Sequence, residues 1–148
     1  MFLYRLSRAL YLAGDAQGAA MVYQLNKTYF GIDAFYEVAL PDLFLFVHPL
    51  GTVLGRGEYG NGLVVYQGVS VGDHLGEKPR IGKWCVLHPK STVLGAAVLG
   101  NHVRIGASAM VIGRPVPQGT VLTGNPRSYT LSENRHQNPY WKKETIDE

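Results

Sequence analysis

One cysteine, a thin scatter of charge and no long apolar run are the first things this 148-residue chain presents. The lone cysteine, Cys85, excludes an intrachain disulfide, and its place among small residues predicts a packed thiol rather than a nucleophile. Charged residues make up only 17% of the chain, and the net charge of +3 is spread without a dense basic block. That excludes the electrostatic footprint of a nucleic-acid-binding protein, although a modest positive balance still suits an anionic cosubstrate. The apolar run at residues 9–13 is short and Asp15 breaks the apolar character soon after it, so neither a signal-peptide core nor a membrane span is expected, and a cytoplasmic location is. Leu3, Leu6, Leu10 and Ala13 instead predict an amphipathic helix with Arg5 and Arg8 off its apolar stripe.

What the chain has is a beat of six. Val47, Val53, Tyr59, Val65 and Val71 fall six apart, and after a jump of ten the count resumes at Ile81, Leu87, Val93, Leu99, Ile105 and Val111. Four residues after each stands a mostly small or slim residue, as at Gly51, Gly57, Cys85, Ser91, Ala97 and Ala109. Neither the helical period of 3.6 nor the strand period of 2 produces this pattern. A parallel β-helix does: each short strand forms one flat side of a prism, the aliphatic residue points inward, and the slim one lets the chain turn. The composition allows one domain with a real core. Its expected parts are a helical lead-in over 1–31, a β-helix over 32–124 and a polar tail over 125–148 with little structure of its own, from which Tyr140 and Trp141 dock on the body.

The jump between Val71 and Ile81 inserts four residues, predicting a loop pushed out from one corner as a candidate wall of a site. The segment Val47-His48-Pro49-Leu50-Gly51-Thr52-Val53-Leu54-Gly55 reappears forty residues on as Leu87-His88-Pro89-Lys90-Ser91-Thr92-Val93-Leu94-Gly95. Forty is two coils plus the loop, which predicts both histidines on one edge, roughly 10 Å apart. His48 follows an inward position and so faces out at a corner, where an imidazole can take a proton from an attacking hydroxyl. Asp33, fifteen residues earlier, could orient it if the first turn is irregular. The alternatives are an aspartate that only starts the coil and a histidine that is only solvated.

Phe30, Asp33, His48, Gly51, Val53 and Gly55 follow the Phe-x-x-Asp and His-x-x-Gly-x-Val-x-Gly pattern of the hexapeptide-repeat acyltransferases. Residues 66–72, Tyr-Gln-Gly-Val-Ser-Val-Gly, and the segment from Val116-Pro117 to Gly124-Asn125-Pro126-Arg127 extend the likeness. Over roughly residues 20 to 127 the chain resembles the C-terminal half of bacterial serine acetyltransferases. The resemblance implies a left-handed coil, a homotrimer and acetyl-CoA between subunits, with transfer to a small hydroxylated acceptor. It implies His48 as general base, Asp33 as its orienting carboxylate, and Gly72, Pro89 and Ala107 beside the pantetheine arm, where Pro89 has only a carbonyl to offer. Val47 stands where the family has an acidic residue, and Gly76-Glu77-Lys78-Pro79 replaces its Asp-Arg-His-Pro loop. His74, Glu77, Lys78 and His88 are therefore the residues expected to choose the acceptor, serine or a sugar such as a surface-polysaccharide precursor. A zinc-dependent hydratase is disfavoured because none of the five histidines forms a close His-x4-His pair, and no metal is expected. A non-catalytic scaffold is the remaining alternative.

Overall fold

The structure, a computed structural model, describes residues 1–136, 138, 140 and 141. Helices α1 (Phe2–Leu12) and α2 (Ala16–Phe30) lead in. Asp15 caps α2 by accepting from the Gly18 N–H at 2.8 Å, and Gly31 ends it in the left-handed region at φ 62°. The stripe expected on α1 is turned. Tyr4 and Ser7 are its buried residues, whereas Leu6 is 36% exposed. The cause is polar: the Tyr4 hydroxyl donates to Val38 O and accepts from the Leu40 N–H, while Arg5 and Arg8 donate to the carbonyls of Asp42, Tyr36 and Glu37. The 35–43 loop thus claims the face that carries the tyrosine.

Fifteen strands follow among the described residues: β1 (Ile32–Ala34), β2 (Phe44–Val47), β3 (Thr52–Leu54), β4 (Glu58–Tyr59), β5 (Leu63–Tyr66), β6 (Ser70–Gly72), β7 (Arg80–Ile81), β8 (Val86–Leu87), β9 (Thr92–Leu94), β10 (Val98–Leu99), β11 (Arg104–Ile105), β12 (Met110–Ile112), β13 (Pro115–Val116), β14 (Thr120–Asn125) and β15 (Ser128–Glu133). They form three sheets, in the orders β1-β3-β6-β9-β12, β4-β7-β10-β13 and β2-β5-β8-β11-β14-β15, called here the first, second and third. Every pairing is parallel except β14 with β15, so the body is a parallel β-helix of stacked coils. Val65, Leu87, Ile105 and Leu122 stack down the inside of the third sheet, and Val71, Val93 and Val111 down the first, all at most 2% exposed. Burying one such side chain contributes about 1.5–3 kcal/mol before entropy is counted.

The beat fails in the first coil. Phe46 pairs with Val65 and Leu54 with Val71, so the inward positions are Phe46 and Leu54, one residue off the predicted Val47 and Val53. Val53 is 43% exposed, and Thr52 is fully buried instead of Gly51 being the slim residue. The inward residues flanking this corner are eight apart, against six for Val65 and Val71, so the His48 corner holds two extra residues. One-residue slips of this kind exchange the two faces of a strand.

The C-terminal segment is more ordered than its polarity suggested. Asn125 accepts from the N–H groups of Arg127 and Ser128, turning the chain so that β15 runs antiparallel to β14. Arg114 holds this hairpin from below, donating to Pro126 O and lying 4.4 Å from the centroid of the Tyr129 ring. Beyond it the chain crosses the outer face of the third sheet. Asn134 Nδ2 donates to His102 O, Arg104 to His136 O, the hydroxyls of Tyr66 and Tyr140 bond to each other, and Trp141 Nε1 donates to Gly62 O at 3.0 Å with its ring edge-on to Trp84. The aromatic pair therefore docks on the body, and Val64 and Val86, on that outer face, are buried. Residues 137, 139 and 142–148 of the tail lie outside the described residues. Among the described residues no helix is long and apolar enough to cross a membrane.

Candidate active site

The corner between the third and first sheets carries His48. Extending the Val47–Tyr66 pairing by one residue sets His48 against Gln67. The Lys90 N–H donates to Gln67 O and the Ser108 N–H to Pro89 O, both at 2.9 Å, which continues the column through Pro89 to Ala107. His48, Gln67, Pro89 and Ala107 thus lie one above another along a single edge. Gly68, Lys90 and Ser108, the next residue in each lower coil, turn the corner at φ 65°, 60° and 57°. In the wider first coil it is His48 itself that sits at φ 49°, exposed to solvent.

This register corrects the expected equivalence of the two histidines. The offset across two coils is forty-one residues, because Phe46 pairs with Val65 and Val65 with Leu87. Pro89, not His88, stands in the His48 column. His88 falls in the column of Val47 and Tyr66 and stacks on the Tyr66 ring at 5.3 Å and 18°. Burial, and after it the Arg104 guanidinium, push the His88 imidazole below its usual value. Burial and then the bond to Tyr140 push the Tyr66 phenol up to about 12. A cavity of about 470 Å³ opens here, lined by His88, Arg104, Gly106, Ala107, Glu133 and His136 among others.

Asp33 lies on β1, opposite Val53 of β3. Its Oδ2 receives Lys27 Nζ and its Oδ1 receives the Tyr23 hydroxyl, each at 2.7 Å. Burial raises the carboxyl pKa, but the Lys27 and Tyr23 bonds outweigh it and hold Asp33 below the usual carboxylate range. Among the described residues no hydrogen bond or ion pair joins Asp33 to His48. The two are nonetheless parts of neighbouring segments, since the Gly51 N–H donates to Gly31 O at 2.8 Å, tying the His48 corner to the start of β1.

The inserted loop occupies a different corner, between the first and second sheets. It folds on itself as a small hairpin in which His74 and Glu77 exchange backbone hydrogen bonds, with Leu75 and Gly76 at positive φ and Asp73 Oδ1 accepting from the Gly76 N–H. Gly72 ends β6 at this corner, opposite Leu94. Lys78 borders a cavity of about 320 Å³ with Glu37, Arg56 and Glu58. One chain therefore gathers His48, Pro89 and Ala107 on one edge, with His88 one column away, and leaves Gly72, His74, Glu77 and Lys78 at another.

No family model matches the sequence. A serine acetyltransferase of Bacillus licheniformis is 28% identical over 131 residues, covering 85% of this chain and 60% of that protein. The crystal structure of the Neisseria gonorrhoeae serine acetyltransferase superposes with a TM-score of 0.78 at 23% identity, covering 93% of this chain and 54% of that one. A serine acetyltransferase solved as a complex with CoA gives 0.77 at 22%, over 88% and 54%. The chain resembles the C-terminal half of serine acetyltransferases. At these identities the solved serine acetyltransferases establish the fold, and the chain spans about 60% of the Bacillus protein's length.

Several residues at these edges carry no signal of their role in the sequence. Tyr23 reads as packing, yet its hydroxyl holds Asp33, and Lys27 one helical turn on holds the other oxygen. Their i, i+4 spacing places both on one face of α2, a pattern that has no partner until β1 is positioned. Arg104 occupies an outward strand position yet is a buried residue, and it donates to His136 O of the crossing tail.

Proposed function

We propose that the chain is an acetyl-CoA-dependent O-acetyltransferase acting on a small hydroxylated acceptor, with His48 as general base. The observation that carries this is the edge on which an exposed imidazole heads the column of Gln67, Pro89 and Ala107, a track along which a thioester-bearing arm is delivered to the base. The likeness to serine acetyltransferases, one of them solved with CoA, supports acetyl-CoA as the donor. His48 removes the acceptor's hydroxyl proton as that oxygen attacks the thioester carbonyl. The tetrahedral intermediate collapses with cleavage of the C–S bond, and the CoA thiolate recovers the proton from the imidazolium. Asp33 stabilises that cation, and backbone N–H groups near the inserted loop receive the oxyanion.

The active unit proposed is a homotrimer with sites between subunits. A single chain keeps the 73–80 loop and the His48 edge at separate corners, so the loop of one copy is positioned to close over the His48 edge of the next. There Gly72 borders the pantetheine arm, and His74, Glu77 and Lys78 contact the acceptor. His88, stacked under Tyr66 beside Ala107, is assigned to the donor side of the groove. The acceptor is serine or a sugar hydroxyl; Val47 and the Gly76-Glu77-Lys78-Pro79 loop, which depart from the serine-enzyme pattern, favour testing the sugar. Thiol release from acetyl-CoA with a panel of serine, amino sugars and nucleotide sugars tests the proposal. His48→Ala is expected to lower the rate with the active acceptor by about 100-fold or more. No release with any acceptor would leave a scaffold as the reading.

A further inference from the structure

We infer that the recess between the start of α1, the end of α2 and the first coil binds a small, mostly apolar molecule carrying one carbonyl oxygen, seated with that oxygen on the side-chain amide of Asn26. This site goes beyond the transfer reaction proposed above. The recess, of about 510 Å³, includes Phe46 and Pro49 on either side of the His48 corner but none of the residues assigned to transfer. Ligand sites are typically recesses of this size, walled by apolar side chains with a few polar groups. Ile32 and Asn26, 3% and 2% exposed, form the floor, and Phe2 and Phe30, 74% and 54% exposed, form the rim.

Asn26 is the residue that packing does not explain. It lies seven residues after Ala19 on the buried face of α2, a position that favours an apolar residue. Among the described residues its Nδ2 has no hydrogen-bond partner. An amide donor left unpaired in the interior opposes folding, and a leucine of similar volume would avoid that cost. Every other side chain lining the recess is apolar, Leu3 and Phe46 among them, so a water entering it finds one side-chain partner where it needs about two to four. A molecule with an apolar body and a single oxygen suits both features: the body covers the apolar walls, and the oxygen accepts from Nδ2. A second copy of the chain laid across Phe2 and Phe30 would cover the rim, but a floor residue 2% exposed is reached only by a group that enters the recess.

The test uses the full chain labelled at its isoleucine δ1 methyls, with Ile32→Val to assign the floor resonance. The probes are acetophenone and ethylbenzene, which differ by a carbonyl in place of a methylene. Both are expected to shift the Ile32 methyl and to leave Ile81 and Ile105, inside the prism, in place. The ratio of the ethylbenzene Kd to the acetophenone Kd is expected to fall about 3–10-fold in Asn26→Leu, which keeps the volume and removes the donor. An unchanged ratio in folded Asn26→Leu overturns the inference, and should that variant not fold, an unchanged ratio in Asn26→Ala does the same. In the wild-type chain alone, no shift at Ile32 with either probe overturns it. An Ile32 shift that follows protein concentration without a probe would assign the recess to a second copy and likewise overturn it. Acetyl transfer enters none of these readings, so failure of the proposed function would leave the site standing, and loss of the site would leave the proposed function untouched.

Discussion

His88 stays neutral in the folded chain to lower pH than a free imidazole, because burial and then Arg104 oppose its cation. The unfolded chain takes up this proton near pH 6.5, where the folded chain does not. The contribution of His88 is therefore fully present above the unfolded value and is lost as pH falls from there through the folded one. Thermal unfolding at pH 7.5 and 5.5 is expected to show a fall in Tm on acidification that is smaller in His88→Asn, and an equal fall in both would count against it. Cys85 behaves as its sequence position implied: burial pushes its thiol up to about 12, so it is no nucleophile at neutral pH. The exposure of His48 came out as expected but not for the expected reason, since the inward residue is Phe46 rather than Val47, and it is the wider corner that leaves His48 outside. The partners of Asp33 were not legible, because hydrogen bonds between a helix and a strand leave no period in the sequence.

At the scale of the coil, the beat was legible wherever six residues separate inward positions, from Val65 through Val111. It slipped in the first coil because the His48 corner holds two residues more, and Val53 and Leu54 are equally apolar, so hydrophobicity alone does not choose between them. The strand β15 was missed for a related reason. The composition of its segment is polar, yet Tyr129 and Leu131 alternate with small polar residues after an Asn-Pro turn, a period-2 signal outweighed by the surrounding Ser, Asn and Arg. A third corner is built from stacked glycines: a Cβ added to Gly82 would lie 2.7 Å from the carbonyl carbon of Gly100, and one on Gly60 would lie 2.5 Å from that of Gly82. Backbone cannot yield as a side chain does. Gly82→Ala is expected to cost about 1–3 kcal/mol in urea unfolding. Gly72→Ala, whose nearest neighbour would be Leu94 Cδ2 at 3.9 Å, should fall within about 0.5 kcal/mol of wild type.

For the molecule as a whole, a stacked-coil body has contacts mainly between adjacent coils, so its stability is close to a sum of neighbour terms and its ends fray most easily. The segment that crosses the third sheet departs from that rule, since it joins Gly62, Tyr66 and Trp84 to His102 and Arg104. Trp141→Ala removes one anchor, and hydrogen exchange is expected to quicken at Gly62 and Trp84 and along β14, while β9 and β12 of the first sheet keep their protection. Uniform protection in the variant would mean the crossing segment holds nothing. If it does hold, the order of synthesis acquires a meaning: early rungs leave the ribosome without their latch, and only the stretch made after the last coil bolts distant rungs together, so a nascent prism remains free to correct a slipped rung until its own end arrives.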